Sequence, residues 1–96
     1  MSGAGQRPRE EERMRLRIAV LDAYLRAAKR REEVMDVISN APDREEARQL
    51  VGRLLGVTEV GAESVLGMRL QQFTKGGVAE NQAEYQSLKE SLDRGR

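Results

Sequence analysis

The chain has 96 residues, a net charge of +1, 39% hydrophobic and 34% charged residues, and neither cysteine nor histidine. Those figures exclude a disulfide framework, remove the commonest general base, the thiol nucleophile and the usual zinc ligands, and leave no global excess of positive charge to hold nucleic acid. A chain of this size forms one small domain that buries roughly 60–70% of its unfolded surface, so self-association would add usefully to a modest core.

Met1 to Arg7 is small, polar and glycine-bearing, and is expected to be disordered. Pro8 suits the first position of a helix, and Glu10, Glu11 and Glu12 place negative charge where the helix dipole favours it. From Arg9 to about Ser39 there is neither glycine nor proline. Met14, Ile18, Leu21, Leu25 and Ala28, then Val34 through Ile38, keep a helical spacing, and the first half of the run, with Arg13, Arg15, Arg17 and Arg26 on other faces, suits one strand of a coiled-coil stalk. Lys29-Arg30-Arg31-Glu32-Glu33 carries no apolar residue; it either lies on a solvated face or marks a break between two helices.

Pro42 ends this run, because it cannot continue a helix and disfavours helical dihedrals at Ala41. Asp43 is the expected N-cap of a short helix, with Glu46 three residues on and Ala47, Leu50, Val51 and Leu54 on one face. Gly56 is placed to close it. The next helix is expected to run through Thr58–Thr74. Thr58 is its N-cap, and Ala62, Val65, Leu66 and Phe73 form its stripe. Met68 and Leu70 widen that stripe, which predicts more than one buried side. Lys75-Gly76-Gly77 is weak helix sequence. Helical character returns from Val78 to about Leu92, with Tyr85, Leu88 and Leu92 as a narrow stripe that packs antiparallel to the first helix.

The expected organisation is a disordered segment at 1–7, one helical domain at 8–93 and a frayed end at 94–96. The fold class is all-α, with about four helices and an antiparallel coiled-coil stub formed by the first and last. No apolar run approaches a membrane span, and no secretory apolar core opens the chain, so a soluble cytoplasmic protein is the expectation. Glu10-Glu11-Glu12 and Glu45-Glu46 sit at helix starts, where charge and capping account for them. No metal, cofactor or catalytic residue is therefore assigned. Tyr24 and Tyr85 read as packing residues. Arg7, Arg9, Arg13, Arg15 and Arg17 form a basic stripe, but acidic residues interleave with it and no aromatic is near for stacking. Nucleic-acid binding is expected to be weak at most.

The stretch TEVGAESVLGMRLQQFT, residues 58–74, resembles a segment of the A subunits of DNA gyrase and topoisomerase IV. Glu59, Ala62, Leu66, Met68, Arg69, Leu70, Gln71 and Thr74 stand at matching positions. Arg17 to Ala23 (with Leu21), Val34 to Ile38, Asn40 to Ala47, and Glu84-Tyr85 with Leu88 extend the likeness over nearly all of the helical chain. The departures are Ala19 in place of the family's histidine, Gly67 in place of an acidic residue, and Lys75-Gly76-Gly77 after Thr74. The last predicts a differently shaped corner.

That resemblance implies the small globular tip of a long coiled coil, two of which meet as the exit gate of the dimeric enzyme. Nothing in the chain resembles the winged-helix domain that carries the family's DNA-cleaving tyrosine, so the resemblance implies a non-catalytic homodimerisation module. Leu54, Val65 and Met68, with Gln72 at the rim, are the candidate dimer surface. Two other readings are a regulator that binds the gyrase or topoisomerase IV A subunit through its gate, and a DNA-binding accessory protein using the arginine stripe.

Overall fold

The computed structural model describes residues 2–95, with side chains over 9–95. The disordered segment expected at Met1–Arg7 lies outside the residues described with their side chains, and Arg96 lies outside the described residues. Within them the chain is all helical. It comprises α1 (Ser2–Lys29), α2 (Arg31–Asn40), α3 (Arg44–Leu55), α4 (Glu59–Leu66), a 3-10 turn (Leu70–Phe73) and α5 (Lys75–Arg94).

There are thus five α-helices where about four were expected, because the first run breaks. Arg30 leaves helical geometry at φ −125° and ψ 39°, and α2 restarts after it without a side-chain cap. Glu32 and Glu33 in the first turn of α2 supply the negative charge that its exposed N–H groups favour. The helix expected over Thr58–Thr74 is also shorter than its apolar spacing suggests. It stops at Leu66, with Gly67 as its C-cap. Conversely, α5 begins at Lys75 rather than Val78.

The other ends follow local chemistry. Asp43 accepts from the Glu46 N–H at 2.9 Å, Thr58 from the Gly61 N–H at 3.2 Å and Thr74 from the Gly77 N–H at 3.0 Å. Each satisfies an N–H that the first helical turn leaves without a partner. Gly56 closes α3 in the left-handed region at φ 66°, where a side chain would be strained.

Helices α1 and α5 lie antiparallel. Arg17 meets Glu84, Tyr24 faces Glu80 and Asn81, and Met14 sits near Leu92. Along the α1 side of the seam, Leu21 is fully buried and Ala28 nearly so, with Met14, Ile18 and Leu25 half-buried. Along α5 the same spacing runs Val78, Asn81, Tyr85, Leu88, Leu92. Asn81, only 9% exposed, is thus a polar residue in an otherwise apolar row. It borders a polar cavity of about 430 Å³ shared with Tyr24, Arg69 and Glu80, so its carboxamide keeps access to solvent. A polar group in such a seam sacrifices stability and disfavours other registers.

Beyond the paired helices, α4 packs across α1. Ala23 and Ala27 are fully buried there, opposite Ala62 and Gly61. A Cβ built on Gly61 would lie 3.2 Å from that of Ala23, so glycine permits the approach. Val34, Val51, Leu55 and Val65 complete this core. Two arginines then tie α1 to the end of α3: Arg26 donates to the Leu55 carbonyl at 3.0 Å and Arg30 to the Leu54 carbonyl at 2.8 Å. These carbonyls belong to the last turn of α3, where cationic donors complement the helix dipole.

Two expectations follow from this packing. A Cβ at Gly77 would fall 2.5 Å from the Gln71 carbonyl oxygen and 2.7 Å from the Gln72 Cα, whereas one at Gly76 meets nothing within 4 Å. Gly77→Ala should therefore cost about 2 kcal/mol, and Gly76→Ala should add about 0.5 kcal/mol by favouring helix; urea unfolding measures both. The hydrogen bonds from Arg17 hold the Glu84 carboxyl below the usual carboxylate range. A depressed folded-state pKa stabilises above the unfolded value, and that contribution disappears as pH falls through the folded one. Both side chains are over 40% exposed, so solvent screening limits the pair to about 0.5 kcal/mol. The stability difference between wild type and Glu84→Gln should be present at pH 7 and vanish on acidification below the ordinary glutamate range near about 4.3.

Candidate interaction surface

The two helix interruptions lie either side of one groove. On one side, the break at Arg30 starts α2 with Arg31, Glu32 and Met35 along the rim. On the other, Gly67 to Arg69 carry the chain out of α4. Arg69 is extended, at φ −83° and ψ 145°. Its N–H donates to the Gln72 side-chain oxygen at 2.9 Å, which holds the short 3-10 turn in place. Between them Arg31, Glu32, Met35, Leu70 and Phe73 line an open groove of about 410 Å³ whose lining is mainly apolar.

Leu70 stands at its edge, 80% exposed, and Met35 is 52% exposed. Phe73 is half-buried, with the Arg31 guanidinium 6.0 Å from its ring centroid. Arg31 also donates through Nε to the Ala28 carbonyl at 3.1 Å. Among the described residues neither Arg31 nor Glu32 has an ion-pair partner, whereas Arg30 beside them is bound to Glu33. Two large apolar groups in water beside two uncompensated opposite charges resemble an interface seen from one side only.

The four residues anticipated as a dimer surface do not line this groove. Val65 is 5% exposed and belongs to the core of this chain, which corrects its assignment to the surface. The reason is that Val65 shares with Gly61 and Ala62 the side of α4 that packs on α1 and α3. Leu54 and Met68 are half-buried and pack against that core. Gln72 is half-buried and engaged with the Arg69 backbone. Leu70, read as part of a buried stripe, is instead the most exposed of the large apolar residues. Had the helix continued past Gly67, Leu70 would have faced elsewhere; the extended Arg69 turns it outward.

The motif positions divide between packing and exposure. Leu21 and Ala62 are buried, Leu66 and Tyr85 half-buried, and Thr74 caps α5. Arg17 donates to Glu84 at 2.8 and 3.0 Å. Arg69, Leu70 and Gln71 are exposed. In the arginine stripe, Arg9, Arg13 and Arg15 are exposed, Arg17 is occupied by Glu84, and the side chain of Arg7 lies outside those described. At the far side of α4, Arg44 pairs with Glu63, and Arg48 with Glu45 and Glu59. Among the described residues no group of three acidic side chains is placed to hold a metal, and no helix is long and apolar enough to cross a membrane.

No protein-family model matches the chain. Among characterised proteins it is similar to the DNA gyrase A subunit of Thermotoga maritima, 35% identical over 79 residues, and to the DNA gyrase A subunit of Helicobacter pylori, 30% identical over 84 residues. These alignments take in 82% and 88% of this chain but 10% of each relative. The chain therefore spans about a tenth of the length of the proteins it matches, and it resembles a segment of the gyrase A subunit, as the 58–74 motif anticipates.

Because Val65 is interior, Val65→Ala should lower stability by about 2 kcal/mol without changing the molecular mass in solution. Denaturant unfolding and light scattering on the same sample test both halves of that expectation.

Proposed function

We propose that this chain is a non-catalytic self-association module, a gate-like tip that pairs with a second copy. The observation that carries the reading is the open apolar groove, where Leu70 is 80% exposed on a domain too small to bury every apolar side chain alone. The similarity to the gyrase A subunit supports it, since the resemblance implies a segment whose role is to meet its own kind. The paired α1 and α5 fit the same picture: a tip on two stubs of stalk, with the groove left open at the break between α1 and α2. Enzymatic chemistry has no foothold in it. Histidine and cysteine are absent, and the shifted carboxyls Glu33, Glu45 and Glu84 are each lowered by an arginine partner, which suits ion pairs and not a proton donor.

The deciding measurement is absolute mass by size-exclusion chromatography with light scattering over a wide concentration range. Twice the chain mass, shifting towards the chain mass on dilution, is the expected result. A chain mass at every concentration would reject the reading.

A further inference from the structure

We infer that the polar cavity beside Asn81 is a binding site for a small zwitterion, a free α-amino acid with a polar side chain. Three parts of the fold meet there: Tyr24 of α1, then Arg69, Gln71 and Gln72 where the chain leaves α4 through the 3-10 turn, then Glu80 and Asn81 of α5. The space measures about 430 Å³ and its lining is mainly polar. It is distinct from the apolar groove. The 3-10 turn gives Leu70 and Phe73 to the groove, and Gln71 and Gln72 to this cavity.

Asn81 carries the inference. It is 9% exposed, and its carboxamide makes no hydrogen bond among the described residues. Yet among those residues no fully buried side-chain nitrogen or oxygen lacks a partner. Both carboxamide atoms of Asn81 are therefore reachable, and the cavity it lines is the space that reaches them. An amide held nine-tenths buried in an apolar seam, with donor and acceptor both open to a recess, is completed by a polar ligand.

The charges select the class. Arg69 and Glu80 have opposite signs and line the same cavity, and neither forms an ion pair among the described residues. A purely anionic ligand would meet the Glu80 carboxylate, and a purely cationic one the Arg69 guanidinium. A zwitterion satisfies both, its carboxylate accepting from Arg69 and its ammonium donating to Glu80. Asn81 can serve either end, with its N–H groups for the carboxylate and its oxygen for the ammonium.

The rest of the cavity suits a polar side chain. The Gln72 oxygen is engaged with the Arg69 N–H at 2.9 Å, which leaves its amide nitrogen free to donate, and the Gln71 side chain is exposed beside it. The size also fits, since small-molecule sites run on the order of 300–1,000 Å³.

The test is a titration of the isotope-labelled full chain followed by its amide NMR shifts, with circular dichroism as the control for folding. L-Glutamine should give saturable shifts centred on residues 67–81. L-Leucine, similar in size but apolar, and acetate and ethylammonium, each one half of the zwitterion, should bind about tenfold more weakly or worse. Asn81→Leu continues the apolar row of the seam, so it should keep its helicity while weakening glutamine binding by about tenfold or more. Arg69→Gln and Glu80→Gln, both at exposed positions, should remain folded and weaken it similarly.

No saturable shift with glutamine would mean that the cavity holds solvent alone, and the inference would fall. Acetate binding as tightly as glutamine would make this an anion site on Arg69, and undiminished binding to Asn81→Leu would put the ligand elsewhere; either result rejects the assignment. None of these outcomes depends on the mass of the chain in solution, so the site stands or falls apart from self-association.

Discussion

Everything in this molecule depends on how closely α4 can approach α1. Ala23 and Ala27 on one side and Gly61 and Ala62 on the other remove the side-chain bulk that normally keeps helices apart. The short α4, of eight residues, is too small to be stable on its own, so its structure comes from that contact. Once α4 is seated, Val65 faces the core, α3 is held against it through Val51 and Leu55, and the chain must leave α4 at a particular place. That exit sets the 3-10 turn, which in turn positions the start of α5. Gly77 shows how tight the arrangement becomes, since its Cα lies where only a hydrogen fits beside the backbone of residues 71 and 72.

The groove is the counterpart of this close packing. Two of the four large apolar residues exposed among the described residues, Met35 and Leu70, share this groove with the half-buried Phe73. Leu16 and Val60, the other large exposed apolar residues, stand apart on α1 and α4, and isolated residues of that kind are ordinary on protein surfaces. Leu70, Met35 and Phe73 are different because they share one recess with charges that have no partner among the described residues. Elsewhere Arg17 pairs with Glu84, Arg26 with Asp22, Arg30 with Glu33, Arg44 with Glu63, and Arg48 with two glutamates, whereas Arg9, Arg13, Arg15, Arg53 and Arg69 are exposed without an ion pair among the described residues.

Much of the helical layout can be read from local chemistry, and the groove cannot. Asp43, Thr58 and Thr74 are each legible as N-caps, and Gly56 as a closing residue, because capping is decided by a few neighbouring atoms. The seam of α1 is legible from the spacing of Met14 to Ala28. The break at Arg30 is legible only as one of two alternatives, since the apolar-free run marks the place but no capping residue decides it; Arg30 bonds to its neighbour Glu33 and, across the fold, to the Leu54 carbonyl. Leu70 leaves the expected buried stripe for a related reason. Periodicity assumes that the helix goes on, and Gly67 with the extended Arg69 ends that assumption in a few residues. Asn81 sits among apolar seam residues at the proper interval, but a pattern of apolar residues gives no sign that a polar one belongs in the same row.

The arginine contacts at the end of α1 have a mechanical meaning. Arg26 and Arg30 hold the terminal carbonyls of α3 from the last turn of α1 and the residue just beyond it, and Arg26 is steadied in addition by Asp22. Rotation of the paired helices about their long axis would therefore be delivered straight to α3 as torque, with no loose joint to absorb it. Helix α2 is coupled to α3 as well, because Val34 is buried in the same core as Val51 and Leu55. Motion imposed on the stalk would move α3 and the core as a lever moves its fulcrum, and the α2 rim of the groove would move with them.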